Sequence, residues 1–332
     1  MADVEEKEPE WLITNYMPRS QITALAGDGG SGKTTVWCAI AGAISNGNQS
    51  FLENLPADEF INREPGKVLF FSSEDSAEYT LKGRLRKNGA MLENILSINL
   101  SDERFAEIKF NSPLLEEIIA QEKPELVIFD PIQSFIPSDI NMGQRNAMRA
   151  CLNPLIGLGE KFGTTFLIIV HTNKQSGLWG RKRIADSADI WDISRSVLIA
   201  GEAADGVRYI SQEKSNYGPQ AQTVLFRLDT GKIEFQGCTD KKDKDFVVAA
   251  TAATYQAPQR DDAKTFILDY LEDGEKETSE LDEMMKAQGI SGKTLERAKA
   301  ELKKSGQIIY KRRGFGKDIK VYCKLNDNSI SS

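Results

Sequence analysis

Four side chains of this sequence could act together on a phosphate group: Lys33, the carboxylates Glu74 and Asp130, and His171, the only histidine in the chain. Lys33 stands in Gly27-Asp28-Gly29-Gly30-Ser31-Gly32-Lys33-Thr34-Thr35, which satisfies G-x-x-x-x-G-K-[ST] in full. In that pattern the glycines let the main chain turn its N–H groups toward a phosphate. The lysine adds a point charge, and the Thr34 hydroxyl is a ligand for Mg²⁺. The apolar run 21–26 before the loop reads as a strand and 34–45 after it as a helix, whose positive dipole end strengthens anion binding. ATP with Mg²⁺ is the expected ligand, cradled by residues Gly27 through Thr35.

Context separates this site from a chance copy. Ser291-Gly292-Lys293-Thr294 repeats the letters of Ser31-Gly32-Lys33-Thr34, but Ala287 stands where the first glycine is required, and 281–286 reads as helix instead of strand. The second copy is therefore set aside.

The run 67–73 reads as a buried strand, and it ends in Glu74 and Asp75. Ligands of open α/β sheets sit at the carboxyl ends of strands, so Glu74 is expected to deprotonate the water that attacks the γ-phosphate. Capping of a helix over 77–87 by Asp75 or Ser76 is the competing use of this segment. A second apolar strand, 125–130, ends in Asp130, the Walker B position from which a carboxylate holds Mg²⁺. A third, 165–170, ends in His171, expected to sense the γ-phosphate; a satisfied structural histidine is the other reading.

The elements that would carry these groups follow a βαβ rhythm from 21 to about 236, with strands at 22–26, 67–72, 95–100, 126–130, 165–170 and 197–200. An antiparallel pair, 207–213 and 222–229, is expected at the sheet edge. The fold class is thus α/β, one doubly wound, mainly parallel twisted sheet with helices on both faces. A chain of 332 residues leaves room for about two domains. With 40% hydrophobic and 27% charged residues it has an ordinary globular composition, and no apolar run nears the ~18 residues of a membrane span. The acidic start lacks a basic n-region and an apolar h-region, so no signal peptide and a cytoplasmic location are expected. Cys38, Cys151, Cys238 and Cys323 contain no C-x-x-C pair and suggest neither zinc nor a disulfide framework. A net charge of −7 argues against a wholly basic nucleic-acid coat.

Residues 1–20 read as an N-terminal arm, 21–237 as the core, 238–261 as an irregular linker, 262–325 as a second domain and 326–332 as a tail. In the second domain three short helices (263–272, 279–287, 293–304) precede a hairpin built from 308–313 and 319–323, the order of a winged helix. Its third helix buries Leu295, Ala298 and Leu302 and leaves Lys293, Arg297 and Lys304 outward. Charge divides sharply: 261–283 holds ten acids and two bases, 291–324 eleven bases and three acids. A solvated face, a protein-docking wing, and DNA contact through Lys293, Arg297, Lys304, Arg312 and Arg313 all remain open.

Taken in order, these features resemble a known family. The Gly27 loop, the strand ending Ser72-Ser73-Glu74-Asp75, Leu85-Arg86-Lys87-Asn88-Gly89, the strand ending at Asp130, His171-Thr172-Asn173-Lys174, the 187–195 segment and Glu213-Lys214-Ser215-Asn216-Tyr217-Gly218 look like the RecA-like ATPases of the plasmid RepA and DnaB hexameric helicase group, RepA more closely. The resemblance implies a RecA-like core with Glu74 as catalytic glutamate, His171 as γ-phosphate sensor and Arg84 as a nucleotide-contacting arginine. It places Arg195, and with it Lys214, where a finger reaches into a neighbouring subunit's ATP; an internal ion pair of Arg195 with Asp189 or Asp192 is the alternative. It further implies a homo-oligomer, a hexamer, with single-stranded DNA in a central channel and no membrane association. The DNA would be contacted by the loops 135–149 and 175–184. In the second of these, Trp179 would stack on a base and Arg181, Lys182 and Arg183 would hold phosphates, unless the loop is an ordinary solvated one. The implied function is a DNA-stimulated ATPase, a replicative helicase of a plasmid, phage or mobile element. A recombination or annealing ATPase without unwinding, and an ATP-switched DNA-binding regulator or loader, are the alternatives.

Overall fold

A computed structural model describes residues 8–55, 63–98, 102–137, 140, 147–172, 177–184, 188–287, 290–314 and 319–326. The chain divides into two compact units, Met1–Val248 and Ala249–Ser332.

The first unit opens with a small antiparallel pair, β1 (Trp11–Ile13) and β2 (Met17–Pro18). Strand and helix then alternate through β3 (Ile22–Gly27), α1 (Lys33–Asn46), β4 (Val68–Ser72), α2 (Lys82–Lys87), β5 (Ile95–Ser97), α3 (Pro113–Glu122), β6 (Leu126–Asp130), α4 (Ala147–Phe162), β7 (Thr165–His171), α5 (Ala188–Ile193) and β8 (Ser196–Glu202). A meander of β9 (Arg208–Ser215), β10 (Thr223–Asp229) and β11 (Lys232–Thr239) leads to α6 (Asp243–Glu272). Nine strands form one sheet in the order β11-β10-β9-β8-β3-β7-β6-β4-β5. From β8 to β5 the neighbours are parallel, and the meander is antiparallel.

The continuous apolar runs of the sequence have a simple cause: the central strands are buried on both faces. Leu126 and Ile128 of β6 pack with Leu25, Leu167 and Ile169 against α1, while Val127 and Phe129 pack with Ala24, Ile168 and Val170 against α3, α4 and α5. Successive residues point to opposite faces, so each strand serves two cores.

The second unit contains the later part of α6, β12 (Lys276–Glu277), α7 (Thr278–Ala287), α8 (Gly292–Lys304), β13 (Ile308–Arg313) and β14 (Lys320–Leu325), with its strands in the order β12-β14-β13. Its core joins Ile267 and Leu271 to Leu281, Met285, Ile308, Cys323 and the expected stripe Leu295, Ala298 and Leu302.

Three local expectations change. The stretch 238–261, expected to be irregular, carries the end of β11 and then helix from Asp243 onward. Its alanines favour helix, and Asp243 and Asp245 suit a first turn. β11 leaves no apolar run in the sequence because it is an edge strand with an exposed face. The helix expected over 77–87 begins as a π-helical turn, Ala77–Leu81, capped by Ser76, whose Oγ accepts from Tyr79 N at 3.4 Å. Among the described residues no helix is long and apolar enough to cross a membrane.

Candidate functional site

Gly27, Glu74, Asp130 and His171 come together because β3, β4, β6 and β7 run parallel and end on the same side of the sheet. This is the side on which open α/β sheets bind ligands. Gly27 closes β3, and a Cβ there would lie 2.7 Å from both Ala200 O and Ser31 Oγ, so only glycine fits. Gly32, at φ 93°, turns the chain into α1. Lys33, buried at the start of α1, donates from Nζ to Gly27 O at 2.7 Å and Asp28 O at 2.9 Å. The lysine is thus held by the loop's own carbonyls, in the place where a phosphate oxygen would be the better partner.

Burial lowers the Lys33 pKa; Asp130, Asp28 and Glu74 oppose that fall and Arg183 adds to it. For Asp130 the same cause works in reverse. Burial raises its pKa, the hydrogen bond from Trp37 pulls it down, Glu74 and Asp75 push it up again, and Lys33 lowers it. Trp37 Nε1 donates to Asp130 Oδ2 at 2.7 Å. Trp37 lies one helical turn after Lys33 on α1, and that spacing was the signal in the sequence that could have found it.

His171 Nε2 lies 3.3 Å from Glu74 Oε1, with side chains 39% and 57% exposed, so the two groups expected to act on the terminal phosphate already face each other at the open side of the cradle. Arg84 donates to Asp75 Oδ2 at 3.0 Å. In this structure its partner is that carboxylate, and Asp75 is accordingly not the helix cap. The donor set fits a nucleoside triphosphate with Mg²⁺: a glycine at 27 whose place no side chain could take, a lysine, the Thr34 hydroxyl and the buried carboxylate of Asp130. Mg²⁺ is commonly held by one or two protein oxygens together with substrate phosphates. Among the described residues there is no cluster of three or more metal-binding side chains.

The cations assigned to the finger and the DNA loops fare differently. Lys214 Nζ donates to the main-chain oxygens of Trp191, Asp192 and Ser194 at 2.8, 3.0 and 2.8 Å, closing the carboxyl end of α5. An ammonium with three protons so engaged is a structural clasp here, which corrects its expected role as a finger. Burial lowers its pKa; Asp192 works against this, and Arg195, Arg181 and Arg149 add to it. Arg195 Nε is buried without a hydrogen-bond partner among the described residues, and Asp192, one of its two expected internal partners, pairs with Arg181 at 2.9 Å.

Arg183 requires the second correction. Its side chain, 6% exposed, donates to Asp28 Oδ2 at 2.7 Å and to Asp243, so it is no solvent-facing phosphate contact. The run Arg181-Lys182-Arg183 hides this, because neighbouring basic residues look alike in a sequence. Trp179 is 39% exposed, with Lys182 and Lys244 Nζ at 5.8 and 5.6 Å from its ring centroid. Asn173, Lys174, Gln175, Ser176 and most of the 135–149 loop lie outside the described residues.

In the second unit Lys293, Arg297, Lys304 and Arg312 are exposed. Arg313 pairs with Glu275 at 2.5 Å and lies 5.2 Å over the Tyr322 ring. Lys299, from the same basic region, is buried against Asp282.

The AAA domain family matches the chain over residues 2–177, just over half of its length. No curated protein matches it.

Proposed function

The chain belongs to the AAA domain family of P-loop ATPases, and on that premise we propose that it is an ATP-hydrolysing, DNA-dependent motor working as a ring of identical subunits, a replicative helicase resembling RepA and serving a plasmid, phage or mobile element. The observation that carries the proposal is a separation. The cradle sits at the carboxyl end of β3, while Arg195 donates its main-chain N–H to Ile22 O at the amino end of that strand. Five steps of about 3.3 Å along the strand put roughly 17 Å between its ends. The Arg195 main chain therefore lies at the end of β3 opposite its own cradle, with Arg181 and Arg149 adding positive charge around Lys214. A cation at that end suits the phosphates of a neighbouring subunit, which makes hydrolysis depend on assembly.

In this mechanism Lys33 exchanges the carbonyls of Gly27 and Asp28 for β- and γ-phosphate oxygens. Thr34 and Asp130 would hold Mg²⁺, which would supply charge neutralisation. Glu74 takes the proton of the attacking water as the bond to the β-phosphate bridging oxygen breaks, and His171 passes the loss of the γ-phosphate to the segment that follows it. Single-stranded DNA would run past that segment, with Trp179, Arg181 and Lys182 as its contacts.

A second reading, an ATP-switched regulator or loader, draws on the other unit. Its helix-helix-hairpin order and three strands β12-β14-β13 fit a winged helix that would set Lys293, Arg297, Lys304, Arg312 and Arg313 against duplex DNA. A forked-duplex unwinding assay with ATP, run beside imaging for rings, tests the motor. ATP-dependent unwinding supports it; hydrolysis without unwinding, joined to selective duplex binding, favours the regulator. Mixing Arg195→Ala with Glu74→Gln protein should restore part of the activity that each has lost, and no recovery would remove the trans finger.

A further inference from the structure

Arg183 is the buried cation of the basic segment 177–184, whereas Arg181 and Lys182 are exposed. One arm of its guanidinium donates to Asp28 Oδ2 at 2.7 Å, and the other donates to Asp243 and lies 3.5 Å from Tyr209 Oη. Asp243 is fully buried and has further donors in Tyr209 Oη at 2.9 Å and Gly180 N at 2.8 Å. Asp28 differs: its side chain is 60% exposed, and its other carboxylate oxygen accepts from Thr172 Oγ1. Arg183 is therefore anchored on a fixed buried carboxylate and extends its remaining arm to an open one.

The open carboxylate stands in an awkward place. Asp28 is the second residue of the phosphate cradle, and its main-chain oxygen accepts from both Lys33 Nζ and Ser31 Oγ. A carboxylate beside the lysine meant for a polyanion repels that ligand at close range, and because Asp28 is exposed the repulsion is one that salt weakens. We infer that Arg183 is a positioning residue of the nucleotide site, which neutralises and aims the Asp28 carboxylate so that the cradle accepts phosphate, with Asp243 at the head of α6 holding Arg183 in place. This rests on reading the Gly27 loop as the nucleotide site. It gives Arg183 a task within its own subunit in place of a DNA contact. Burial works against the charge on Arg183, yet Asp243, Asp28 and Tyr209 outweigh it and raise its pKa, so the neutralising charge is permanent.

The test is a charge cycle on the full chain, titrating a fluorescent ADP analogue with Mg²⁺ and following folding by circular dichroism. Arg183→Gln should weaken binding about tenfold, a loss that shrinks at high salt. Asp28→Asn should tighten it about two- to threefold, and the double variant should return to within about threefold of wild type. A structural role alone predicts no rescue, so a double variant as weak as Arg183→Gln overturns the inference, as does unchanged affinity in Arg183→Gln. Should Arg183→Gln fail to fold, Asp28→Asn still decides, because it leaves the buried pair with Asp243 intact; tighter binding supports the inference and unchanged or weaker binding overturns it. A wild-type chain that bound no nucleotide would instead overturn the cradle reading, and this inference with it.

Discussion

Ser31-Gly32-Lys33-Thr34 and Ser291-Gly292-Lys293-Thr294 are the same four residues at the start of two helices, α1 and α8, and they do different work. In the first, Gly32 sits at φ 93° with no side-chain cap, and Lys33 is buried with its ammonium turned back onto Gly27 and Asp28. In the second, Ser291 is an ordinary N-cap whose Oγ accepts from Thr294 N at 3.3 Å, and Lys293 is exposed. What precedes them makes the difference. A strand locked between two parallel neighbours delivers Gly27 to the carboxyl edge of the sheet, where the chain turns through Gly30 and Gly32 at positive φ into α1. At Ser291 the chain simply enters a helix. Sequence identity over four letters is weak evidence; the conformation imposed by the sheet is strong evidence.

The comparison can be tested at matched positions. The largest effect is expected from Lys33→Ala, which should lower ATP hydrolysis at least about 100-fold in a steady-state assay, because it removes the charge aimed at the phosphates. Retained hydrolysis would mean that the first copy is no more a cradle than the second. Next come the paired glycines. Gly32→Ala forces a Cβ into a left-handed conformation 3.0 Å from Leu228 Cδ1 and should destabilise the first unit by about 1–2 kcal/mol. Gly292→Ala meets nothing within 4 Å and should stabilise α8 by about 0.5 kcal/mol. Chemical denaturation reads both, and equal signs would erase the contrast. Ser291→Ala loses only a cap, so a drop of about 1 kcal/mol in stability of the second unit is the expected result.

The smallest effect concerns Asp130. Its raised pKa means that, between the unfolded and folded values, the folded chain keeps a proton which the unfolded chain releases. The group therefore favours folding below the unfolded value, and that contribution fades as pH rises through the folded one. Hydrolysis has the opposite sign, since Mg²⁺ needs the ionised carboxylate. Trp37→Phe removes the hydrogen bond that favours ionisation, so the acid limb of the pH–rate profile should move to higher pH. A limb that stays in place would show that Trp37 serves packing alone.

Much of this was legible in one dimension. Central strands buried on both faces must be continuous apolar runs, which is why β3, β4, β6 and β7 were readable, with Glu74, Asp130 and His171 at the ends of the last three, as was the Leu295, Ala298 and Leu302 stripe of α8. Edge strand β11 and the first turns of α6 were not, because exposed elements carry no such signature. Nor could spacing distinguish Arg183 from Arg181 and Lys182, or show that Lys214 closes α5.

The sequence by itself determined a phosphate loop between a strand and a helix, carboxylates at two further strand ends, and a basic, helix-rich carboxyl-terminal region. Local chemistry suffices for those, since glycine tolerance, periodicity and charge are properties of neighbouring residues. Only the tertiary structure decided that Arg183 is a buried partner of Asp28, that Trp37 bonds Asp130, and that Arg195 stands at the end of the sheet away from its own cradle. Each of these depends on which strands lie side by side and which way they run, and long-range pairing is recorded in no local pattern of the chain.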